Sequence, residues 1–465
     1  MNITERIFES LSGWSDHPAF IDLDPERGPT YVSAPQFSGR VRDAADILKK
    51  HGIRSGFIVA LFLNNSIDFI SIFLALMFIG AKPIPVNMAF RKIELDEIFA
   101  NADPHAIIAE RDHLIHVRAH LPGRIVLERE GGKLYLHDVG ADAARREPAE
   151  LGGDIASINY TYRGHGYPLG ALVPHRQYLD GADVLEKAVM LERGERILAI
   201  LPMQHIFTLI GCVFLPLLYG VTTVISYSRN PLRLFEAVTE HGIDYVLAVP
   251  ELYELFLNLR EAAGAVPRMK AFLSGGSVLP EEHYGRLMEE FGVELIHGYG
   301  LTEFTPVSRN IRGAIRPGTI GVISDCVECR IDSPDANGSG EIMIRTKNMA
   351  RGYYRRPAET ADAFHDGWFG TGDIGRIDNG HLIFEREKKG TRKMKGNMVD
   401  LEEVKKALVM YSSVCEAEVE YFNKNVIATV IINPSVNFND DVLNIKRRME
   451  NIIAGYKIPK TINVY

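Results

Sequence analysis

Residues 298–303 read Gly-Tyr-Gly-Leu-Thr-Glu, preceded by Ser274-Gly275-Gly276. In this set Tyr299 offers an aromatic face to a nucleobase, Thr302 a hydroxyl to a phosphate, and Glu303 a carboxylate to Mg²⁺. Further along, Thr371-Gly372-Asp373 is followed by Arg386. An aspartate accepts from both hydroxyls of a ribose, and an arginine nearby adds donors or holds the aspartate. A third candidate is Tyr160 to Gly170, YTYRGHGYPLG, where Thr161, Arg163, Gly164, His165 and Gly166 would turn donors toward an anion. It lacks the Gly-Lys-Ser/Thr of a Walker loop, and Gly164-x-Gly166 does not continue as a dinucleotide fingerprint. Taken singly, each segment has an ordinary alternative: a Gly/Pro turn, a strand-to-helix turn with an acid at the helix start, or a turn aspartate beside a solvated arginine.

These residues need a scaffold, and the pattern around them supplies one. Short β-branched runs at Arg196–Leu201, Thr222–Ser226, Tyr245–Val249, Ala271–Ser274 and Val293–His297 read as strands. Helical stretches at Pro231–His241, Glu251–Ala262 and Pro280–Phe291 fall between them, with Pro231 and Pro280 at helix starts. That alternation predicts a parallel sheet covered by helices, with Gly275, Gly276, Gly298 and Tyr299 at the carboxyl ends of strands, where open α/β sheets bind ligands. After Gly300 the chain becomes turn-rich, with a strand at Glu341–Arg345 and a hairpin turn at Gly380, so a β-rich piece is expected there. Six of the ten residues from Arg386 to Lys395 are Lys or Arg, which reads as a linker. Beyond it, Leu401, Val404, Leu408 and Val409 mark one helix face, Val426–Ile432 a strand and Val442–Ile453 a helix. The fold class is therefore α/β: a large N-terminal domain, 1–386, of helix-covered sheets with an appended β-rich subdomain, and a small α+β C-terminal lid, 387–465.

Bulk properties exclude several alternatives. A chain of 465 residues exceeds what one core usually serves. The net charge of -8 opposes a general nucleic-acid binder. Four Cys in so long a chain form no disulfide framework, and Cys326-x-x-Cys329 has no second pair to complete a zinc site. The opening MNITERIFESLSGWSDHPAF lacks the regions of a signal peptide, and the apolar run Phe69–Gly80 is too short to span a bilayer and reads as buried helix. A cytoplasmic protein without a membrane span is expected.

Read in order, the segments resemble the superfamily of acyl- and aryl-CoA synthetases, luciferases and peptide-synthetase adenylation domains. The resemblance runs from TYVSAPQFSGR at Thr30 through Ile84-Pro85-Val86-Asn87, SGGSVLP, GYGLTE, GEIMIRTKNMARGYY and WFGTGDIGRID to Gly396-x-x-Val399, Glu403 and the final YKIPKTINVY. It implies that Tyr299 stacks on adenine, Thr302 touches the α-phosphate, Glu303 ligates Mg²⁺, and Asp373 with Arg386 holds the ribose. It also implies that His205 lies beside the acyl carboxylate, with a core histidine as the other reading. Lys388 would occupy the hinge on which the lid turns. Phe207 and Tyr253 are expected to line an apolar acyl pocket.

Two departures stand out against that pattern. Relatives carry hydroxyls and a lysine in the loop where this chain has Tyr162, Arg163, His165 and Leu169, and they place a lysine on the acyl carboxylate from a segment downstream of Tyr465. Losing one charge-assisted contact costs about 1.5–3 kcal/mol. Arg163 and His165 are candidates to replace the loop cation. The resemblance implies an AMP-forming ligase using ATP, Mg²⁺ and CoA or phosphopantetheine, with a small carboxylic acid as substrate and CoA or an acyl carrier protein as acceptor; the two departures together would leave adenylation slow without abolishing it. The alternative is a degenerate relative without ATP chemistry, acting as a carrier-protein acyltransferase or a noncatalytic binding protein.

Overall fold

A computed structural model of the chain describes every residue except 1, 15, 25–27, 131–132, 140–145, 229, 260–267, 278, 388–390, 395–396, 411–413, 423–424, 433–441 and 465. Strands β1 (Arg196–Ala199), β2 (Thr222–Ser226), β3 (Tyr245–Ala248), β4 (Ala271–Ser274) and β5 (Glu294–Tyr299) lie in the order β2-β1-β3-β4-β5, all parallel. Their short, unalternating apolar runs suit strands covered on both faces, and β2, β3 and β4 are buried throughout. Helices Pro231–Glu240, Pro250–Leu259 and Glu281–Phe291 make the crossovers. Pro231 and Pro250 open their helices, where the missing N–H is not needed, whereas Pro280 is the cap before its helix and not its first residue.

At β5 the sheet changes character. It runs parallel to β4 on one side and antiparallel to Ser308–Arg309 on the other. From there the same sheet continues through Val322–Ile323, β7 (His381–Glu387), β6 (Trp368–Asp378), Gly340–Arg345 and Glu328–Asp332. The β-rich piece is thus an extension of the central sheet, and the Gly298-Tyr299 segment sits on the seam. Gly380 forms the β6–β7 turn at a φ of 76°.

A second sheet joins Lys82–Pro85, Ile58–Phe62, Ala106–Glu110 and Ile125–Glu130 in parallel, with Lys133–Val139 antiparallel at one edge. The apolar run expected to be a buried helix is helix Ile67–Phe78, capped where Ser66 Oγ accepts the Phe69 N–H at 3.0 Å. Among the described residues no helix is long and apolar enough to cross a membrane.

The C-terminal part has its own core, where Val414–Phe422, Asn425–Ile432 and Thr461–Val464 form a sheet packed against helices Leu401–Val409 and Val442–Met449. Val404 and Leu408 are buried as expected, but Val409, the last residue of its helix, is 41% exposed. The basic run read as a linker contains a strand, Thr391–Met394, because its backbone pairs antiparallel with Asn397–Asp400. The architecture is the expected α/β large domain with a small α+β domain behind it.

Candidate nucleotide and acyl site

Several chain segments meet in a cavity of about 500 Å³ at the seam. Ser274–Gly276 leaves the end of β4, and Gly298–Glu303 leaves the end of β5. Glycine is needed here: a Cβ on Gly300 would come within 2.0 Å of Thr305 Oγ1, and one on Gly275 within 3.0 Å of the Phe207 ring. The Tyr299 hydroxyl donates to Asp373 Oδ2 at 2.7 Å, joining β5 to β6 across the seam. Burial, then the Asp373 carboxylate, pushes the Tyr299 hydroxyl well above its ordinary pKa, so it stays a donor. The Asp373 N–H in turn donates to Thr371 Oγ1 at 3.1 Å. Thr302 lines the cavity, its carbonyl accepting from Gln177 Nε2 at 2.9 Å.

Arg386 is not with Asp373. On the β6–β7 ladder Asp373 pairs with Glu387 while Arg386 pairs with Ile374, and neighbouring residues on a strand face opposite sides. Arg386 is therefore exposed outside both cavities. Glu387, which the sequence reading did not single out, lines an adjoining cavity of about 110 Å³ with Gly276, Gly298 and Tyr299. Lys388 lies outside the described residues.

The candidate phosphate loop is the turn of a hairpin, Ile155–Thr161 with Leu169–Pro174. Leu169 pairs with Thr161 as the first residue of the return strand and is fully buried, so it belongs to the core and not to the loop. Thr161, Arg163 and His165 line the cavity, whereas Gly164 does not. The Gly166 N–H donates at 2.9 Å to Asp400 Oδ2 of the C-terminal domain, and Lys406 Nζ donates to the Gly166 carbonyl at 2.9 Å. Tyr162 also lines the cavity, and its hydroxyl donates at 2.7 Å to Glu403, which also pairs with Lys457.

Arg163 reaches inward. Its Nη2 donates to the Gly370 carbonyl at 2.6 Å and its Nη1 to the Thr371 carbonyl at 3.4 Å, its guanidinium lies 4.8 Å from the Phe369 ring centroid, and Nη1 stands 3.6 Å from Glu303 Oε1. Burial alone would lower its pKa, but Tyr353, Glu303 and Asp373 outweigh that and the net direction is upward. The same Glu303 oxygen accepts from the Tyr353 hydroxyl. The Glu303 side chain lines the cavity but is 1% exposed, and its Oε1 already accepts from Tyr353 and faces the Arg163 guanidinium, a donor set that suits a resident Mg²⁺ poorly. Among the described residues no group of three His, Cys, Asp or Glu could hold a metal ion.

His205 and Phe207 line the cavity as well. Burial lowers the His205 pKa and keeps the ring neutral, with Nε2 3.2 Å from Asn397 Oδ1 and 3.4 Å from Asn87 Nδ2. Asn397, Met398 and Tyr456 reach the cavity from the C-terminal domain. Tyr253 does not line it: fully buried on helix Pro250–Leu259, its hydroxyl lies 2.8 Å from the Val246 carbonyl and 2.7 Å from that of Leu273. That helix turns Tyr253 into the core on the other side of the sheet, beside Phe256 and Phe272.

A seam of parallel and antiparallel strands, a tyrosine–aspartate pair, a Gly-rich turn and residues of the second domain thus meet at one cavity. The profile of the AMP-binding enzyme family matches residues 7–354, and the chain belongs to that family, whose members include acyl- and aryl-CoA ligases. It is 27% identical over 452 residues to a feruloyl-CoA synthase of Amycolatopsis sp, covering 94% of this chain and 90% of the relative. It is 25% identical over 464 residues to a long-chain-fatty-acid–CoA ligase of Mycobacterium tuberculosis, covering 96% and 90%. The structure of an amide bond synthetase from Marinactinospora thermotolerans superposes with a TM-score of 0.84 at 19% identity, covering 100% of this chain and 96% of that one. For the o-succinylbenzoate CoA synthetase of Bacillus subtilis the values are 0.83, 20%, 99% and 94%. At such identities the structural likeness speaks for the fold alone.

Proposed function

We propose that the chain is an AMP-forming acid–thiol ligase, activating a small carboxylic acid with ATP and passing the acyl group to the pantetheine thiol of CoA or of an acyl carrier protein. A carboxylate oxygen attacks the α-phosphorus, the bond to the bridging oxygen breaks, and pyrophosphate leaves with the electron pair. The thiol sulfur then attacks the acyl carbonyl, the bond to AMP breaks, and the thiol proton passes to solvent. Asp373 and Tyr299 would hold ribose and adenine, Thr302 the α-phosphate, and neutral His205 the acyl group, so that catalysis rests on positioning and charge. Mg²⁺ enters with ATP as part of the substrate. A wide opening of about 1600 Å³ shares Asn87, Asn397 and Tyr456 with the cavity and is a natural path for the acceptor arm.

The observation that carries this reading is the 2.7 Å Tyr299–Asp373 bond inside one cavity with Thr302 and His205. A second reading, a relative without ATP chemistry, is favoured by two features: the Gly166 N–H is taken by Asp400, and the buried Leu169 stands where a loop lysine was expected. Exchange of labelled pyrophosphate into ATP, with a panel of carboxylic acids, separates the two. Exchange with at least one acid is expected. Its absence with every acid, together with acyl transfer from a supplied thioester, would establish the second reading.

A further inference from the structure

The Glu303 carboxylate faces a cation of the chain's own. Arg163 ties together the two segments that frame the nucleotide: its Nη1 approaches Glu303, next to Thr302, and its N–H groups hold the carbonyls of Gly370 and Thr371, next to Asp373. A phosphate attached to a ribose at Asp373 and touching Thr302 would share the cavity that Arg163 lines, between the neighbours of both residues. The side chain is 15% exposed and lines the cavity, so its charge is not sealed away. Stacking on Phe369 and the two carbonyl contacts fix the plane of the fork, which leaves little to reorganise when an anion arrives.

We infer that Arg163 is the phosphate-binding cation of this site and that Glu303 is its positioning residue rather than a metal ligand. The loop thus supplies from position 163 a charge that its strand at Leu169 has no room for. The same contact explains why Glu303 tolerates burial: the guanidinium and the Tyr353 hydroxyl compensate its carboxylate. The negative charge met by Arg163 is that of the α-phosphate, the one phosphate present in ATP, acyl adenylate and AMP alike.

This inference rests on the nucleotide reading of the cavity, and the experiment separates the two. AMP and adenosine binding are measured by calorimetry on the full chain, with EDTA and with excess Mg²⁺. AMP affinity of the unaltered protein is expected to change by less than about threefold between the two conditions. Arg163→Ala is expected to weaken AMP roughly tenfold or more while leaving adenosine unchanged, and Arg163→Lys to recover part of the loss. Glu303→Gln should likewise weaken AMP selectively, without altering the response to Mg²⁺. Strong tightening by Mg²⁺ that Glu303→Gln abolishes would make Glu303 a metal ligand and overturn the inference. Equal losses of AMP and adenosine in Arg163→Lys would reduce Arg163 to a structural role and overturn it too. Should Arg163→Ala fail to fold, the Mg²⁺ titration of the unaltered protein and the Lys variant still decide. If neither AMP nor adenosine binds the unaltered protein, the nucleotide reading itself falls, and this inference with it.

Discussion

At the scale of single residues, the site turns on which way a side chain faces. Tyr299, at the end of β5, and Asp373, beside Gly372, line the cavity where the backbone path leaves few directions, and Thr302 lines it three residues beyond the strand. Arg386 could not be placed from its motif, since its face depends on an irregularity in the ladder between Ile374 and Gly375. A shift of one residue moves a side chain to the other side of a sheet, and nothing in the local sequence records it. Tyr253 failed similarly: an aromatic residue near a strand end suits an acyl pocket as well as a core. Its environment yields a decisive contrast. Tyr253→Phe removes a hydroxyl shared between two buried strand carbonyls and should destabilise the fold by about 1 kcal/mol, seen as a lower Tm. Acid-dependent kinetics should not change, and a raised KM for the acid would return Tyr253 to the pocket.

At the scale of elements, the alternation of β-branched runs with helical stretches located β1 to β5 to within a residue or two, because strands buried on both faces leave an unambiguous apolar run. Long-range pairing was less legible. The strand Thr391–Met394 is basic and lacks apolar alternation, and only its partner Asn397–Asp400 makes it a strand. Leu169 is the instructive case: viewed along the sequence it ends a Gly-rich loop, but the hairpin register places it in the core opposite Thr161. Restoring a lysine there should not restore phosphate binding. Leu169→Lys would bury an unpaired ammonium, and a loss of about 3–5 kcal/mol in denaturant unfolding is expected, with no gain in ATP affinity. A stable variant with tighter ATP would show instead that the strand opens to the cavity.

At the scale of the whole molecule, the two domains are joined by a fully buried charge cluster whose pairing the motifs do not reveal, since its members are far apart in sequence. Lys457 pairs with Glu403 and, at 3.1 Å, with Glu94, while Tyr162 donates to Glu403 and sits 3.0 Å from Lys457 Nζ. Glu94 Oε1 also accepts the Ala454 N–H at 2.7 Å, so the N-terminal domain holds both the C-terminal lysine and its backbone. One ammonium faces two carboxylates. Burial, reinforced by Glu94, outweighs Lys457 and raises the Glu403 pKa to about 7. An acid whose folded pKa lies above its unfolded one favours the native state most at low pH. Its contribution is full below the ordinary glutamate range, falls as pH rises, and is gone above about 7. Thermal unfolding should therefore show Tm falling between about pH 5 and pH 7. In Glu403→Gln, which cannot ionise, that part of the slope should vanish, so the difference between the two profiles isolates the cluster from every other titrating group. Parallel profiles would mean that Glu403 ionises at an ordinary pKa and that Lys457 balances both carboxylates.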